Sequence, residues 1–444
     1  MGKETNSMTT TDHLNGYGPL AGIKIVELCT YVAGPATVRV LSDMGAEVIK
    51  IEPPFGDAQR VQGPCFGCGQ TETEDPTYDL NNTNKNWLCL NTKHPEGLEA
   101  MKKLIAESDV FVTNTRSKSL VKMGLDYETL HEEFPGLIWA QMRGYGEFGV
   151  EKDSPGYDAV CWAARGGVAG TFPERNTSPA IPPQAFGDYN CAVMLAAGIL
   201  GAIVNKLRTG KGDKVTVNLY HGALWAGGIG ICATQFGSPY PKSRKSVPSP
   251  FNNTYKTKDD KWIYICQPNH NKYYNEMMEI IGREDMKDNP RFCRMEDIQP
   301  YTHHELVEVL DAGFAQKTFD EWDPILREHQ VPFQTVFDYK DIVADDEAYD
   351  NDGLRTVHYD AFGDRATTTI PIRFDSFGDP PMILSKPIGY HTAEYMEKLG
   401  YSAEDIKRLE DEGAIKCWHG QEVPDKIFKS RRQEAGEAPC VWEQ

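Results

Sequence analysis

The chain has 444 residues, a length typical of roughly two or three domains. Hydrophobic residues make up 40% of the chain and charged residues 25%, a composition too apolar for a mostly disordered protein. Its net charge of −19 and pI near 5.1 argue against non-specific binding to nucleic acid or anionic membranes, because both need a basic face. No uninterrupted apolar run approaches the ~20 residues that span a bilayer, which argues against a membrane protein.

The N-terminal segment, residues 1–18, is polar and lacks the apolar stretch of a signal peptide, so we expect a flexible extension. The 11 cysteines are odd in number and scattered, which is typical of reduced thiols. Both features predict a cytoplasmic protein.

The first regular elements form a strand–helix–strand unit. Gly22–Leu28 reads as a short buried strand, and a helix follows from Pro35 to Met44. Proline suits the first turn of a helix, and Gly45 suits its C-terminal end. Ala46–Ile51 is the next predicted strand.

The same alternation continues along the chain. Further strands are predicted at Trp87–Leu90, Asp109–Thr113, Leu137–Gln141 and Lys214–Leu219, with helices at Pro95–Glu107 and Cys191–Leu207. Short apolar strands that alternate with helices indicate an α/β fold whose parallel sheet is covered on both faces.

The composition changes after about residue 237, where residues 238–260 become rich in Pro, Ser, Asn and Lys. Residues 261–345 combine the strand Trp262–Cys266 with amphipathic helical stretches and predict a smaller α+β domain. Strands return after about residue 348, helices follow near 392–399 and 403–413, and the last ~25 residues read as a polar surface tail.

Most standard catalytic motifs are absent from the sequence. Gly144-Tyr-Gly-Glu-Phe-Gly149 has dinucleotide-binding spacing, but a polar stretch follows it instead of a helix, so a nicotinamide cofactor is unsupported. Cys65 and Cys68 have no second pair to complete a zinc site, and we interpret them as loop cysteines. We therefore expect no metal and no tightly bound cofactor.

One acidic residue stands out by its position. Asp188 directly precedes the long apolar helix, in a sheet protein whose ligands usually bind at the ends of strands. On position alone, Asp188 more often caps the helix than acts as a catalyst.

The start of the chain contains three short segments that occur together in one known family, namely Pro19–Leu28, Ala33–Pro35 and Leu41–Pro53. With these segments the chain resembles the class III (CaiB/BaiF-type) CoA-transferase family, over about residues 19–415. Further ordered matches are Asn84-Lys85, Gly124–Tyr127, Gly144–Gly146, Pro155–Asp158, Gly187-Asp188 and Thr209–Gly212.

This resemblance implies a fold and an assembly. A large Rossmann-like domain would form from both chain ends, residues 19–237 and 346–444, with residues 238–345 as the linker and smaller domain. Two subunits would thread through each other as interlocked rings, giving a homodimer. Coenzyme A would be a cosubstrate.

The resemblance also assigns site residues. It implies that Asp188 is the nucleophile and that Tyr145 lies near it. The positions matching the family's coenzyme A contacts are Tyr31, Val32, Lys85, Asn114, Lys122 and Arg143. Tyr31, Phe186 and Tyr189 are candidates for an apolar acyl pocket.

Two features depart from the family pattern. Pro53 stands where a relative has an arginine for a coenzyme A phosphate, and Arg60 is a candidate substitute. The glycine-rich flap of some relatives is not visible near residues 240–260.

The segments Asp75–Leu80, Arg116–Leu130 and Ala164–Gly170 look especially like the branch with cinnamoyl-CoA:phenyllactate and 2-hydroxyisocaproate CoA-transferases of amino-acid fermentation. This predicts transfer from an enoyl-CoA to an (R)-2-hydroxy acid. The alternative acceptors are carnitine-like, bile and dicarboxylic acids.

Two other functions remain as alternatives. A 2-methylacyl-CoA racemase is disfavoured because Tyr157 stands where such enzymes have a histidine base. A non-enzymatic coenzyme A-binding protein is disfavoured by the presence of Asp188.

Overall fold

A computed structural model describes residues 16–298 and 303–420 of the chain. Most of the expected N-terminal extension and all of the expected polar tail beyond residue 420 lie outside the described residues.

The structure is a mixed α/β fold with twelve strands in the described residues. In chain order they are β1 Lys24–Leu28, β2 Glu47–Glu52, β3 Asn86–Leu90, β4 Val110–Thr113, β5 Ile138–Arg143, β6 Lys214–Asn218, β7 Asn252–Lys256, β8 Trp262–Cys266, β9 Phe333–Thr335, β10 Leu354–Tyr359, β11 Gly363–Thr368 and β12 Ile415–Lys416.

The α-helices of the described residues are, in chain order, α1 Ala33–Asp43, α2 Pro76–Asn82, α3 Pro95–Ala106, α4 Ser117–Met123, α5 Tyr127–Glu133, α6 Val168–Thr171, α7 Phe186–Thr209, α8 Leu219–Ala226, α9 Gly228–Thr234, α10 His270–Ile280, α11 His303–Phe314, α12 Phe319–Glu328, α13 Tyr339–Val343, α14 Asp346–Asp350, α15 Thr392–Lys398 and α16 Ala403–Asp411. Short 3₁₀ turns lie at Ala58–Val61, Gly63–Phe66, Arg244–Ser246, Glu284–Met286 and Met295–Asp297, and a π-helical turn at Ala159–Arg165.

Seven strands form the main sheet in the order β12-β3-β2-β1-β4-β5-β6. All neighbouring pairs are parallel except β12 with β3, which is antiparallel. Strand β1 lies in the middle, where Ile25 pairs with Val48 of β2 on one side and Val110 of β4 on the other. The order reverses at this point, because β2 and β3 extend to one side of β1 while β4, β5 and β6 extend to the other.

Helices cover the sheet. One hydrophobic cluster joins Val26 and Ile49 of the sheet to residues of α3, α4, α5, α15 and α16. Helices α1 and α7 pack against each other and against sheet strands, outside that cluster. The predicted parallel sheet with helical cover is confirmed.

The longest described helix, α7, buries one face along Cys191, Leu195, Ile199 and Ile203. Its apolar composition and 24-residue length would also suffice to span a membrane, with a mean hydropathy of 1.6 in its most apolar window. This was not expected from the sequence, where no apolar run looked long enough. A core helix of a soluble protein meets the same two criteria.

The chain divides into two compact units. Among the described residues, the first comprises 16–167, 182–227 and 349–420 and contains the main sheet and the hairpin of β10 and β11. The second comprises the described residues 168–181, 228–298 and 303–348 and has the antiparallel sheet β7-β8-β9 with its own core around Tyr255, Ile263 and Trp322.

The segment 168–181 differs from the boundary expected from the sequence, which placed it in the large domain. In the structure it belongs to the second unit, because Arg175 bonds to the backbone oxygens of Pro241 and Lys242, and Glu174 accepts the N–H of Arg244.

Candidate active site

A cavity of about 610 Å³ opens at the carboxyl ends of β1, β4, β5 and β6. It lies where the strand order reverses between β1 and β4, which is the usual ligand position in an open parallel sheet. Its walls come from the segments that follow these strands and from the start of α7: Thr30–Ala33, Asn114–Ser119, Gln141–Tyr145, Lys152–Ser154, Gly156, Tyr157, Asp188 and Leu219.

Asp188 reaches the cavity from the first turn of α7. The cap position of this helix is Ala185, which has φ near 60° and makes no side-chain cap bond. Asp188 is therefore three residues inside the helix, and the interpretation that it merely caps α7 is wrong. Its carboxyl group is instead presented to the cavity.

Gly187 allows the first turn of α7 to approach the preceding segment closely. A Cβ at this position would lie 2.2 Å from Cγ of Trp162 and 2.3 Å from Oδ1 of Asp158, so any side chain would clash. The backbone N–H groups of Gly187 and Asp188 face the Asp158 carboxylate, although its Oδ1 lacks a well-formed hydrogen bond among the described residues. The glycine thus brings Asp158 next to Asp188.

Two effects act on the nucleophile candidate. Burial, the larger effect, and the negative charge of Asp158 together raise the pKa of Asp188 to about 7. Burial also raises the pKa of Asp158, while the N–H groups of Gly187 and Asp188 oppose that rise. A helix N-terminus is expected to favour the ionised carboxylate, but here burial and the neighbouring carboxylate outweigh it.

Tyr31 contributes an aromatic wall to the cavity. Its backbone φ of 63° is in the left-handed region, which costs a non-glycine residue on the order of 1–3 kcal/mol. Its ring meets the ring of Tyr157 edge to face, with centroids 5.8 Å apart. Val32 and Tyr145 also line the cavity.

Asn114 and Arg143 line the cavity too, but their polar groups already have protein partners. The Asn114 amide bonds to both the N–H and the carbonyl of Thr30. The Arg143 guanidinium donates to the Ser117 hydroxyl at 2.6 Å and to the carbonyl of Lys152 at 2.8 Å. Both side chains hold cavity walls in place.

Lys85 is not at the cavity surface. Its ammonium group is fully buried, 2.8 Å from the Glu27 carboxylate, and donates to the carbonyl of Pro35 and the side chain of Asn82. Burial lowers the pKa of Lys85 to about 8, although Glu27 opposes the effect. The structure thus gives Lys85 an internal ion pair in place of the predicted coenzyme A contact.

Three other predicted site residues also lie outside the cavity lining. Lys122 is exposed on α4, and the side chains of Phe186 and Tyr189 are 45% and 39% exposed. Arg60, the suggested substitute for the missing arginine, is paired with Glu52 at 2.8 Å and stacked over the Tyr78 ring, so it does not reach out to a ligand.

The cavity contains cations that the sequence analysis did not select. Arg116 and Lys118 follow β4 directly, and Lys152 lies on the loop after β5. Lys118 pairs with Asp153 at 3.2 Å with both side chains well exposed. The available signal was position, because a basic residue just after a parallel strand reaches the ligand edge of the sheet.

Cys65 and Cys68 are free, exposed cysteines in the structure. Among the described residues, one group of three potential metal ligands converges, at His94, Glu96 and Glu412, and Glu96 is also paired with Arg408.

The chain is similar to known proteins along most of its length. Residues 20–392 match the profile of CoA-transferase family III. The chain is 39% identical over 404 residues to cinnamoyl-CoA:phenyllactate CoA-transferase of Clostridium sporogenes, covering 90% of this chain and 98% of that one. It is 38% identical to (R)-2-hydroxy-4-methylpentanoate CoA-transferase of Clostridioides difficile, covering 89% and 99%.

Solved structures show the same fold. The Mycobacterium tuberculosis protein Rv3272 superposes with a TM-score of 0.73 at 27% identity, covering 86% of this chain and 99% of that one. A CaiB/BaiF family protein from Brucella suis gives 0.71 at 26% identity, covering 86% and 100%. The family profile spans most of the sequence and the relatives match along nearly their whole length, so this chain belongs to CoA-transferase family III.

Proposed function

We propose that this CoA-transferase moves coenzyme A from an enoyl-CoA such as cinnamoyl-CoA to a free (R)-2-hydroxy acid, with Asp188 as the covalent nucleophile. The observation that carries the proposal is a carboxyl group with a pKa near 7 at the cavity where the strand order reverses. Such a group is ionised in a useful fraction at neutral pH and remains a stronger nucleophile than an ordinary carboxylate. The names of the relatives support the choice of substrates.

In the first half of the reaction, an oxygen of Asp188 attacks the thioester carbonyl carbon of the donor. The carbon–sulfur bond breaks, coenzyme A leaves as a thiolate, and a mixed anhydride links Asp188 to the acyl group. The thiolate then attacks the aspartyl carbonyl carbon of the anhydride. The anhydride carbon–oxygen bond breaks, which releases the donor acid and leaves an aspartyl-CoA thioester.

The acceptor reverses these steps. Its carboxylate attacks the aspartyl-CoA carbonyl and releases the thiolate, which attacks the acceptor carbonyl of the new anhydride and restores the Asp188 carboxylate. One thioester is consumed and one is formed, so no ATP is needed. Water must be kept from the anhydride, and the half-buried position of Asp188 serves this requirement.

The cavity suits both ends of an acyl-CoA. Positive charge for the phosphates of coenzyme A comes from Arg116 and Lys118 on the segment after β4, and from Lys152 on the segment after β5. The rings of Tyr31 and Tyr157 give an apolar wall for an aromatic or branched acyl group beside Asp188. In this assignment the two tyrosines replace Phe186 and Tyr189 as the acyl pocket.

We also propose a cytoplasmic homodimer of interlocked subunits. The support for an assembly is the outward face of α7, where Val193, Val204 and Leu207 are 39%, 55% and 75% exposed. Apolar side chains grouped on an exposed helix face are typical of a protein interface. We further propose that the first unit, which contains the cavity with Asp188, is the catalytic domain and that the second unit is the smaller domain.

A trapping experiment tests the nucleophile. The enzyme is incubated with cinnamoyl-CoA, treated with hydroxylamine, digested and analysed by mass spectrometry. We expect an aspartyl hydroxamate at Asp188 and none in enzyme treated without acyl-CoA. A hydroxamate elsewhere, or full exchange by the Asp188→Asn variant, would refute the mechanism.

The acceptor is tested with one donor and a panel of acids. We expect the highest kcat/KM with (R)-phenyllactate or (R)-2-hydroxy-4-methylpentanoate, and lower values with carnitine, a bile acid or succinate. Equal kcat/KM values for succinate and the 2-hydroxy acids would reject the proposed substrate class. They would not affect the proposal that Asp188 is the nucleophile.

A further inference from the structure

The loop Thr30–Val32 connects β1 to α1 and forms one wall of the cavity that contains Asp188. Its central residue, Tyr31, is held in the left-handed region although it has a side chain. Left alone, the backbone of such a residue would relax to a negative φ and carry the ring away from Tyr157. Something outside the loop must therefore hold it.

Two side chains fix this loop. One carboxylate oxygen of Asp57 accepts a hydrogen bond from the Thr30 hydroxyl at 2.6 Å and another from the Tyr31 N–H at 2.9 Å. From the other side, the Asn114 amide accepts from the Thr30 N–H at 3.0 Å and donates to the Thr30 carbonyl at 2.7 Å. The polar groups on both sides of the Thr30–Tyr31 bond are thereby fixed.

The Asp57 carboxylate is itself held in place by a buried ion pair. Its second oxygen lies 3.0 Å from the Lys50 ammonium group, which also lies 2.9 Å from Glu27, and all three side chains are at most 1% exposed. Burial alone would raise the pKa of Asp57, but Lys50 and the N–H groups bonded to the carboxylate hold it below its usual range. Asp57 is therefore an ionised, rigid acceptor, and charge-assisted bonds of this kind are stronger than neutral ones.

We propose that Asp57 is a positioning residue for CoA transfer, which fixes Thr30 and Tyr31 so that the Tyr31 ring forms the cavity wall against Tyr157. The inference rests on the proposed function in one respect, namely that the transfer takes place at Asp188 in this cavity. Asp57 does not line the cavity and acts through the loop. Its effect should appear in the rate of turnover, because a displacement of about 1 Å in a positioning group can cost ~100-fold in rate.

The sharpest variant is Thr30→Val, because it removes one bond to Asp57 and leaves the buried charges unchanged. Asp57→Asn removes the charge and keeps the shape. We expect kcat for exchange between cinnamoyl-CoA and phenyllactate to fall by roughly 10- to 100-fold in both, with KM for the acyl-CoA within about threefold. Thr30→Ser retains the hydroxyl and should restore most of the rate.

The matched control is Thr37→Val. Thr37 is a buried threonine on α1, and its hydroxyl donates a hydrogen bond to the Ala33 carbonyl at 2.8 Å, away from Asp57. This variant should keep the wild-type kcat. Rates are measured well below each variant's Tm, and hydrogen exchange of the peptide containing residues 29–33 is followed by mass spectrometry. We expect the backbone hydrogens of this peptide to exchange faster in Thr30→Val than in the wild type, and the hydrogen exchange of other peptides to be unchanged.

The outcomes separate this proposal from the proposed function. If exchange survives in Asp188→Asn, the proposed function fails. If Asp188→Asn is inactive while Thr30→Val and Asp57→Asn turn over at the wild-type kcat, Asp57 is a structural residue only and the positioning proposal fails. A lower Tm with an unchanged kcat would likewise mean that Asp57 stabilises the fold without positioning the loop for turnover.

Discussion

Asp158 and Asp188 form a pair of acidic side chains in which the charge of the first raises the pKa of the second. The pair exists because Gly187, between α7's cap residue and Asp188, has no side chain to hold the segments apart. Burial, the larger effect, and this neighbouring charge together keep Asp188 protonated until near neutral pH, and the two carboxyl groups titrate as a coupled pair.

The first prediction follows from this coupling. Because only the ionised form of Asp188 attacks, kcat/KM should rise with pH along a limb centred near 7. Asp158→Asn removes the neighbouring charge, so the limb should move to lower pH, by about one unit. It should stay above the ordinary aspartate value, because burial is the larger cause of the shift.

A pH–rate profile of both proteins checks this prediction. Asp260→Asn is the control, because that side chain is 85% exposed in the second unit and should leave the limb in place. A limb that does not move in Asp158→Asn would show that Asp158 does not tune the nucleophile.

The second prediction concerns stability. The pKa of Asp188 is about 7 in the folded chain against 3.8 as its ordinary value, so the native state binds more protons between these values. Stability therefore falls as pH rises through this window, and the cost is fully present above pH 7 and absent below pH 4. Asp188→Asn should be more stable than wild type at pH 8, by on the order of 1–3 kcal/mol.

Thermal unfolding of both proteins at pH 4 and pH 8 measures this difference. The two Tm values should agree at pH 4 and diverge at pH 8, with the inactive variant the more stable. The opposite order at pH 8 would mean that the ionised carboxylate is stabilised by its surroundings, against the burial seen here.

The third prediction uses the close approach at Gly187. Gly187→Ala places a Cβ against Trp162 and Asp158, so the start of α7 must move. We expect a loss of about 1–3 kcal/mol in stability and a larger loss in kcat, since Asp188 is the next residue. Gly170→Ala is the control, because a Cβ there meets no atom within 4 Å.

Urea unfolding measures the stability of these two glycine variants, and the kinetics of CoA transfer give their kcat. Gly170→Ala should behave as wild type in both. If Gly187→Ala retains full kcat, the position of Asp188 does not depend on the packing of this turn.

The local pattern of the sequence was sufficient for the first strand–helix–strand unit. The predicted strand Gly22–Leu28 is observed as Lys24–Leu28, and Ala46–Ile51 as Glu47–Glu52. Gly45 closes the helix between them with a φ of 97°, as its position predicted. Apolar runs, proline at a helix start and glycine at a helix end act over a few residues, so a single sequence reveals them.

Contacts between distant residues could not be inferred in this way. Lys85 has the same side chain whether it meets a phosphate or Glu27, and only the fold places it 2.8 Å from a carboxylate 58 positions earlier in the chain. Likewise, nothing near Tyr31 in the sequence announces that Asp57 holds its backbone. Asp188 was found through a family resemblance, since its position alone favoured a helix cap.

The last prediction separates the buried lysine from the exposed cations of the cavity. Lys85→Met leaves one oxygen of Glu27 without its ion-pair partner, although Lys50 remains on the other oxygen. Loss of one partner from a buried pair is strongly destabilising, and we expect about 2–3 kcal/mol because of the remaining lysine. KM for the acyl-CoA should stay within about twofold, since Lys85 does not line the cavity.

Arg116→Gln should do the reverse. Arg116 is exposed on the cavity wall, so its loss should leave Tm unchanged and raise KM for the acyl-CoA by roughly three- to tenfold, with a weaker dependence on salt. Thermal unfolding and KM are measured on both variants, and each variant should change one of these two quantities and leave the other unchanged. If Lys85→Met instead raised KM and kept its Tm, the lysine would bind coenzyme A as the resemblance implied, and its place in the Glu27 ion pair would have to be abandoned.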